Sequence, residues 1–149
     1  MKILFLCAGY GTRLEKDLKE SSEFAECIGR PKALLPIDDK ALISFWFEAL
    51  KNVTDITEMI IVTNDKFQEQ FYKSKKWYAG ASNLTEKISI INDGSTSNEN
   101  RLGAVADIKA GLDSKYDEEV LVIAGDTLFM DDFKMTDFIQ KFYRLKKVR

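Results

Sequence analysis

The 149-residue chain is 45% apolar and 31% charged, which suits one compact domain with a buried core. Its 22 Lys and Arg against 24 Asp and Glu leave a formal charge of −2, so it is not built to grip nucleic acid through its overall field. No apolar run reaches the ~18–20 residues of a membrane-spanning helix. Histidine is absent, which removes Ser-His-Asp and Cys-His chemistry and any His-ligated metal.

The chain opens on KILFLCAGYGTRL, Lys2 to Leu14. Its start superficially resembles a secretory signal, but the apolar run is too short and flows into a glycine-containing turn. Ile3 to Cys7 reads as a buried strand, and Ala8 to Gly11 as a loop whose backbone N–H groups can approach an anion closely. Arg13 follows, then a second cationic stretch, RPKALLPI, at Arg30 to Ile37. An arginine that keeps its charge and a lysine acting as a point charge complete a phosphate site. Between them, Glu15 to Gly29 has no clean period and reads as an irregular excursion or a short surface helix, with no helix start evident at Leu14. Asp38 and Asp39 make a turn, and Ala41 to Val53 carries apolar residues at three- and four-residue intervals, as a half-buried helix does.

Glu58 to Thr63 reads as a second buried strand rich in β-branched residues. Asn64 and Asp65 offer a cap to a helix from about Lys66 to Trp77. Lys87 to Asn92 is a third strand, followed by the wholly polar loop DGSTSNEN and a helix over Arg101 to Leu112. Glu118 to Asp126 is a fourth strand, and Asp131 and Asp132 read as the next turn. A last helix starts at Asp132 or Thr136 and runs into the basic tail Lys141 to Arg149, a charge pattern that suits a helix C-terminus. Cys7 and Cys27 show neither metal-ligand nor disulfide spacing and read as a buried and a partly exposed thiol in a reducing cytoplasm.

Strand and helix alternate four times at intervals of about 30 residues, which implies βαβ units: an α/β, Rossmann-like, doubly wound and mostly parallel sheet with helices on both faces. The usual order places the first strand between the second and fourth, with the third beyond the second. The winding reverses between strands one and four, so the loops Ala8 to Lys32 and Ala124 to Thr127 should meet there. Asp126 then brings a hard oxygen ligand beside a phosphate site, as Mg²⁺ requires. The Gly9 and Gly11 pair lacks the third glycine of a dinucleotide fingerprint, which disfavours a nicotinamide cofactor.

LCAGYGTRL, PKALLPI and VIAGD together resemble the sugar-nucleotide pyrophosphorylase type of nucleotidyltransferase, over Lys2 to about Phe133. The resemblance implies a nucleotide-diphospho-sugar transferase type of fold. It also implies transfer of a nucleoside monophosphate from a nucleoside triphosphate to a phosphorylated acceptor, a sugar 1-phosphate or phosphocholine, with release of pyrophosphate. Carried over by motif, Leu6, Ala8, Gly9, Gly11 and Thr12 would contact the nucleotide. Arg13 would bind the triphosphate, Lys32 the α-phosphate and the incoming phosphate, and Asp126 the Mg²⁺. RLGAVADI nominates Gly103 beside the base and ribose, whereas Asn98 and Asn100 read as ordinary loop residues. Family catalytic domains run past position 149, so residues 1–149 are expected to be a single domain corresponding to the N-terminal, nucleotide-binding portion. An uncovered sheet edge would then favour a homo-oligomer.

Overall fold

The computed structural model describes residues 1–80, 84–112, 118–129 and 132–147. Asp131 and Arg149, named above, lie outside these. Four parallel strands form the central sheet in the order β5-β4-β1-β6. They are β1 (Lys2–Leu6), β4 (Glu58–Thr63), β5 (Ile88–Asn92) and β6 (Val120–Ala124). This is the order expected from the sequence, with β1 between β4 and β6. Leu6 lies beside Val62 on one side and Ala124 on the other.

Strand side chains alternate between faces, and both faces of this sheet are covered, so β1 is apolar from Ile3 to Leu6. Ile3 and Phe5 pack into the larger core layer with Met59, Ile61 and Ile123, under helices α2 (Leu42–Leu50), α3 (Gln68–Ala79) and α5 (Met135–Lys146). Leu4, Ile60 and Val62 face the opposite layer, where Ile108 and Leu112 close over them from α4 (Ala104–Gly111) and its end. Gly111 permits that approach: a Cβ there would lie 2.5 Å from Val62 Cγ2 and 2.8 Å from Leu4 Cδ1.

The stretch after the first loop takes one of its two expected forms, a short surface helix, but begins earlier than expected. A regular helix, α1 (Thr12–Glu20), begins directly after Gly11 and runs through Leu14. It has no fully buried residue; Leu14 and Leu18 are half-buried and the Glu15–Lys19 pair spans one turn, so its apolar signal is too sparse to show a period. The chain then makes a short 3₁₀ turn at Ala25–Cys27, which folds the Cys27 side chain inward, so this thiol is buried and not partly exposed. Pro36–Ile37 (β2) and Lys40–Ala41 (β3) pair as a small hairpin around Asp38, whose φ of 54° is the left-handed conformation that such a turn demands. α4 starts later than its pattern suggests because Gly103, at φ 84°, delays the helix.

Gly125 follows β6 in a confined position. Its N–H donates to Leu6 O at 3.0 Å, and a Cβ would collide with Cys7 Sγ and come within 3.1 Å of Leu6 O. Gly125→Ala is therefore expected to cost about 1–3 kcal/mol, the scale of overpacking a filled interior. Adding Cys7→Ala should return part of that loss, measured by urea unfolding of the two variants.

Candidate active site

The loops leaving β1 and β6 come together at the carboxyl end of the sheet. Gly11 sits at φ 63° immediately before α1, and its carbonyl accepts the Glu15 N–H at 2.9 Å. The amides of Thr12, Arg13 and Leu14 have no acceptor within the helix, so the positive end of α1 opens at this loop. Pro31, with φ −66°, starts a 3₁₀ turn at Lys32–Leu34 that lifts Lys32 back over the glycine loop. A Cβ on Gly11 would lie 3.6 Å from Lys32 Cγ and 3.8 Å from its Cε. Lys32 Nζ reaches Asp126 Oδ2 at 3.3 Å. Glycine loop, lysine and aspartate thus converge from three separate stretches of chain.

Asp126 is held at the rim by its neighbours. Thr127 Oγ1 donates to Ala124 O at 2.8 Å, and the Trp46 indole N–H donates to Thr127 O at 2.8 Å. Arg13 is exposed and carries no ion pair among the described residues. The neighbouring Glu15 is engaged elsewhere: its carboxylate accepts from Lys19 and Lys66, which hold it below the usual carboxylate range. Leu6 is the last residue of β1, Ala8 is buried, and Gly9 is exposed with open space where a Cβ would stand. Gly103 is exposed ahead of α4 and does not touch the Lys32–Asp126 pair. Asn100 Oδ1 accepts the Thr96 and Ser97 amides and Asn98 Oδ1 accepts from Arg101, so both side chains serve their own loop.

Five residues whose part in the site was missed in the sequence hold it in shape. Asn64 is fully buried; its Nδ2 donates to Ala8 O at 2.8 Å while its Oδ1 accepts the Phe67 N–H at 3.1 Å. One side chain therefore fastens the glycine loop and caps the turn into α3. The sequence signal was an Asn directly after a strand, which showed the cap but not the reach across to Ala8. Tyr10, in the middle of Gly9-Tyr10-Gly11, is buried with its hydroxyl 3.3 Å from Ser95 Oγ. Ser95 in turn donates to both oxygens of Asp93, at 2.7 and 2.9 Å. Asp107, in the first turn of α4, faces Asp93 and is 8% exposed. A continuous polar chain thus links the glycine loop to the helix that follows Gly103.

Burial, the charge of Asp93 and a hydrogen bond to it push the Asp107 carboxyl up to about 6. An unfolded Asp titrates near ~3.9, so the folded state binds this proton more tightly. The resulting stabilisation is complete below the unfolded value and is lost as pH rises through about 6. Asp107→Asn removes the titration and keeps a donor for Asp93. Its melting temperature relative to the native chain should rise between about pH 4 and pH 6 and level off above; a constant difference across that range would contradict the assignment.

With this geometry in place, the similarities to known proteins are informative. The MobA-like NTP transferase domain matches residues 3–145. A bifunctional sugar-1-phosphate nucleotidylyltransferase/acetyltransferase from Sulfurisphaera tokodaii is 30% identical over 139 residues, which cover 93% of this chain and 28% of that protein. A D-glycero-alpha-D-manno-heptose 1-phosphate guanylyltransferase from Campylobacter jejuni is 30% identical over 131 residues, covering 87% of this chain and 49% of that protein. The chain therefore spans half or less of the length of these curated relatives. Since the family match takes in every strand of the sheet from Ile3 and both loops of the site, the chain belongs to the MobA-like NTP transferase family, with the α/β fold of the sugar-nucleotide transferases.

Proposed function

We propose that this chain carries the nucleotide-binding site of a nucleotidyltransferase that joins a phosphorylated acceptor to the α-phosphorus of a nucleoside triphosphate and releases pyrophosphate. The observation that carries this reading is the meeting of Lys32 Nζ and Asp126 Oδ2 beside Gly11, at the crevice where the sheet reverses its winding. The names of both relatives favour a sugar 1-phosphate as acceptor.

Each group has a chemical task. The backbone of Leu6, Ala8, Gly9, Gly11 and Thr12, together with the N-terminus of α1, lines the nucleotide and its phosphates. Arg13, free of any internal partner among the described residues, is available to the triphosphate. Lys32 offsets charge on the α-phosphate and on the incoming phosphate, and Gly103 borders the base and ribose. The attacking phosphate oxygen is already ionised at neutral pH, so the reaction needs no general base and a chain without histidine loses nothing. Catalysis then rests on in-line alignment and charge neutralisation.

Among the described residues no group of three or more Asp, Glu or Cys side chains is placed to hold a metal ion. A single exposed carboxylate fits Mg²⁺, which keeps most of its waters and is shared with substrate phosphates. Asp126 would hold it, and the ion would offset the phosphate charge. Among the described residues no helix is long and apolar enough to cross a membrane. The two free thiols suit a reducing compartment such as the cytoplasm.

Among the described residues Asp126 is the one carboxylate that meets Lys32 and no group of three acidic or thiol side chains stands ready for a metal, which supports a second reading, in which the chain holds nucleotide without turning it over. Pyrophosphate release from UTP, dTTP, CTP and GTP with Mg²⁺, against sugar 1-phosphates and phosphocholine, separates the two. Acceptor-dependent release supports transfer. A rise in melting temperature with triphosphate but no release supports binding alone, since ligand bound only to the folded state stabilises it by mass action. Neither response would overturn both. In an active preparation, Lys32→Ala and Arg13→Ala should each lower turnover by roughly 10²–10³-fold, the scale of one lost preorganised contact, with melting temperatures unchanged.

A further inference from the structure

Helix α1 carries Arg13 and opens its free amides at the glycine loop, yet packing does little to fasten it. None of its residues is fully buried, and Leu14 and Leu18, on its inner side, are half-buried. The chain enters it through Gly11 at φ 63°, a residue with a wide choice of backbone conformation. The direction of its first turn must therefore be set by something other than apolar contact. That turn holds Glu15, whose Oε2 meets Lys66 Nζ at 3.3 Å, from a residue 51 positions further along the chain. Among the described residues this is the only ion pair that joins α1 to another element.

Lys66 is itself firmly placed. It stands in the turn between β4 and α3, with the buried Asn64 and Phe67 on either side of it. Asn64 Oδ1 accepts the Phe67 N–H at 3.1 Å, and the Asp65 N–H donates to Ser95 O at 3.0 Å. The Lys66 ammonium lies 5.1 Å from the centroid of the Phe67 ring, and that ring lies 6.2 Å from the ring of Tyr10 in the glycine loop. Contact with a π face narrows the choices of a long side chain, so this lysine loses less entropy in reaching Glu15 than an unsupported one would. Gln70, four residues after Lys66, donates through Nε2 to Gly29 O at 2.8 Å. The stretch from Thr12 to Gly29 is thus held near both ends by side chains from the start of α3 and the turn before it.

The other charges nearby do not take this role. Lys19 also meets Glu15, at 3.2 Å, but it belongs to α1 and moves with it. Asp65 Oδ1 accepts from Asn92 Nδ2, and Glu69 pairs with Lys73. Lys16, Asp17 and Glu20 are exposed and carry no ion pair among the described residues. We propose that Lys66 is a positioning residue for the phosphate site: through Glu15 it anchors the first turn of α1, and so sets Arg13 and the helix amides against the glycine loop. This deepens the nucleotide-binding reading and rests on it. Charge alone points the other way for Glu15, because a carboxylate in the first turn opposes an anion at that end of the helix. Removing it would then tighten anion binding, whereas loss of the anchor weakens it.

Isothermal titration of the full chain with UTP, dTTP, CTP and GTP in the presence of Mg²⁺ tests it, beside thermal unfolding without nucleotide. For the triphosphate bound most tightly, Lys66→Met and Glu15→Met should each weaken binding about fivefold, the upper end of what a partly exposed ion pair supplies. Melting temperatures should stay close to that of the native chain. Lys66→Arg and Lys19→Met should bind as the native chain does. The double variant Glu15→Met/Lys66→Met should be no weaker than either single, since both remove the same contact. A charge effect alone would instead move the two singles in opposite directions and cancel in the double. Tighter binding by Glu15→Met, native binding by Lys66→Met, or a double variant that loses the product of the two single losses would each overturn this inference and leave the nucleotide-binding reading standing. A native chain that binds none of the four triphosphates would overturn both.

Discussion

The hydrogen bond from Gly125 to Leu6, at 3.0 Å, is the point on which the rest of the site depends. It pulls the end of β6 against the end of β1 at a position where no side chain larger than hydrogen fits beside Cys7 and Leu6. One residue later the chain must leave the sheet, and Asp126 emerges at the rim next to the loop that leaves β1. The lysine is aimed there by a different route, through Pro31 and the tight turn that follows it. The two loops stand at the carboxyl ends of β1 and β6. Their shape is borrowed from the sheet below and from a few buried polar contacts.

Those polar contacts explain why the glycine loop can be both exposed and ordered. Asn64 fixes Ala8 from beneath, and Tyr10 is anchored through Ser95 and Asp93 to α4. A loop with a glycine at each end of Tyr10 would otherwise lose much conformational entropy on binding a ligand. Burial of Cys7 together with the nearby Asp126 carboxylate raises its thiol far above the usual range, so it serves as packing and is chemically quiet.

Most of the sheet was legible in the sequence, because strands buried on both faces read as unbroken apolar runs such as ILFL and MIIV. Their order followed from chain topology, and with it the meeting of Lys32 and Asp126. What escaped was of two kinds. The helix Thr12–Glu20, expected only as an alternative to irregular chain and with a later start, is nearly all polar, and with only Leu14 and Leu18 facing inward it offers no period to detect. Asn64, Tyr10, Ser95 and Asp107 act through partners far away in sequence, up to 85 residues for the Tyr10 and Ser95 pair, and no local pattern encodes such a contact. Cys27 was misjudged for a related reason: a three-residue turn turned a loop side chain inward.

The ion pair between Lys32 and Asp126 has a consequence for how the site selects its guest. Both side chains are close to half exposed, at 42% and 46%, so the pair contributes little to stability and separates easily. At rest the two charges cancel, and the crevice offers no bare positive charge at that point to stray anions. A phosphate arriving alone gives the lysine a new partner but leaves its own negative charge facing the carboxylate. On the function proposed above, a phosphate arriving with a divalent cation would satisfy both at once. The pair would then act as a coincidence detector, favouring the combination of anion and counter-ion over either one alone.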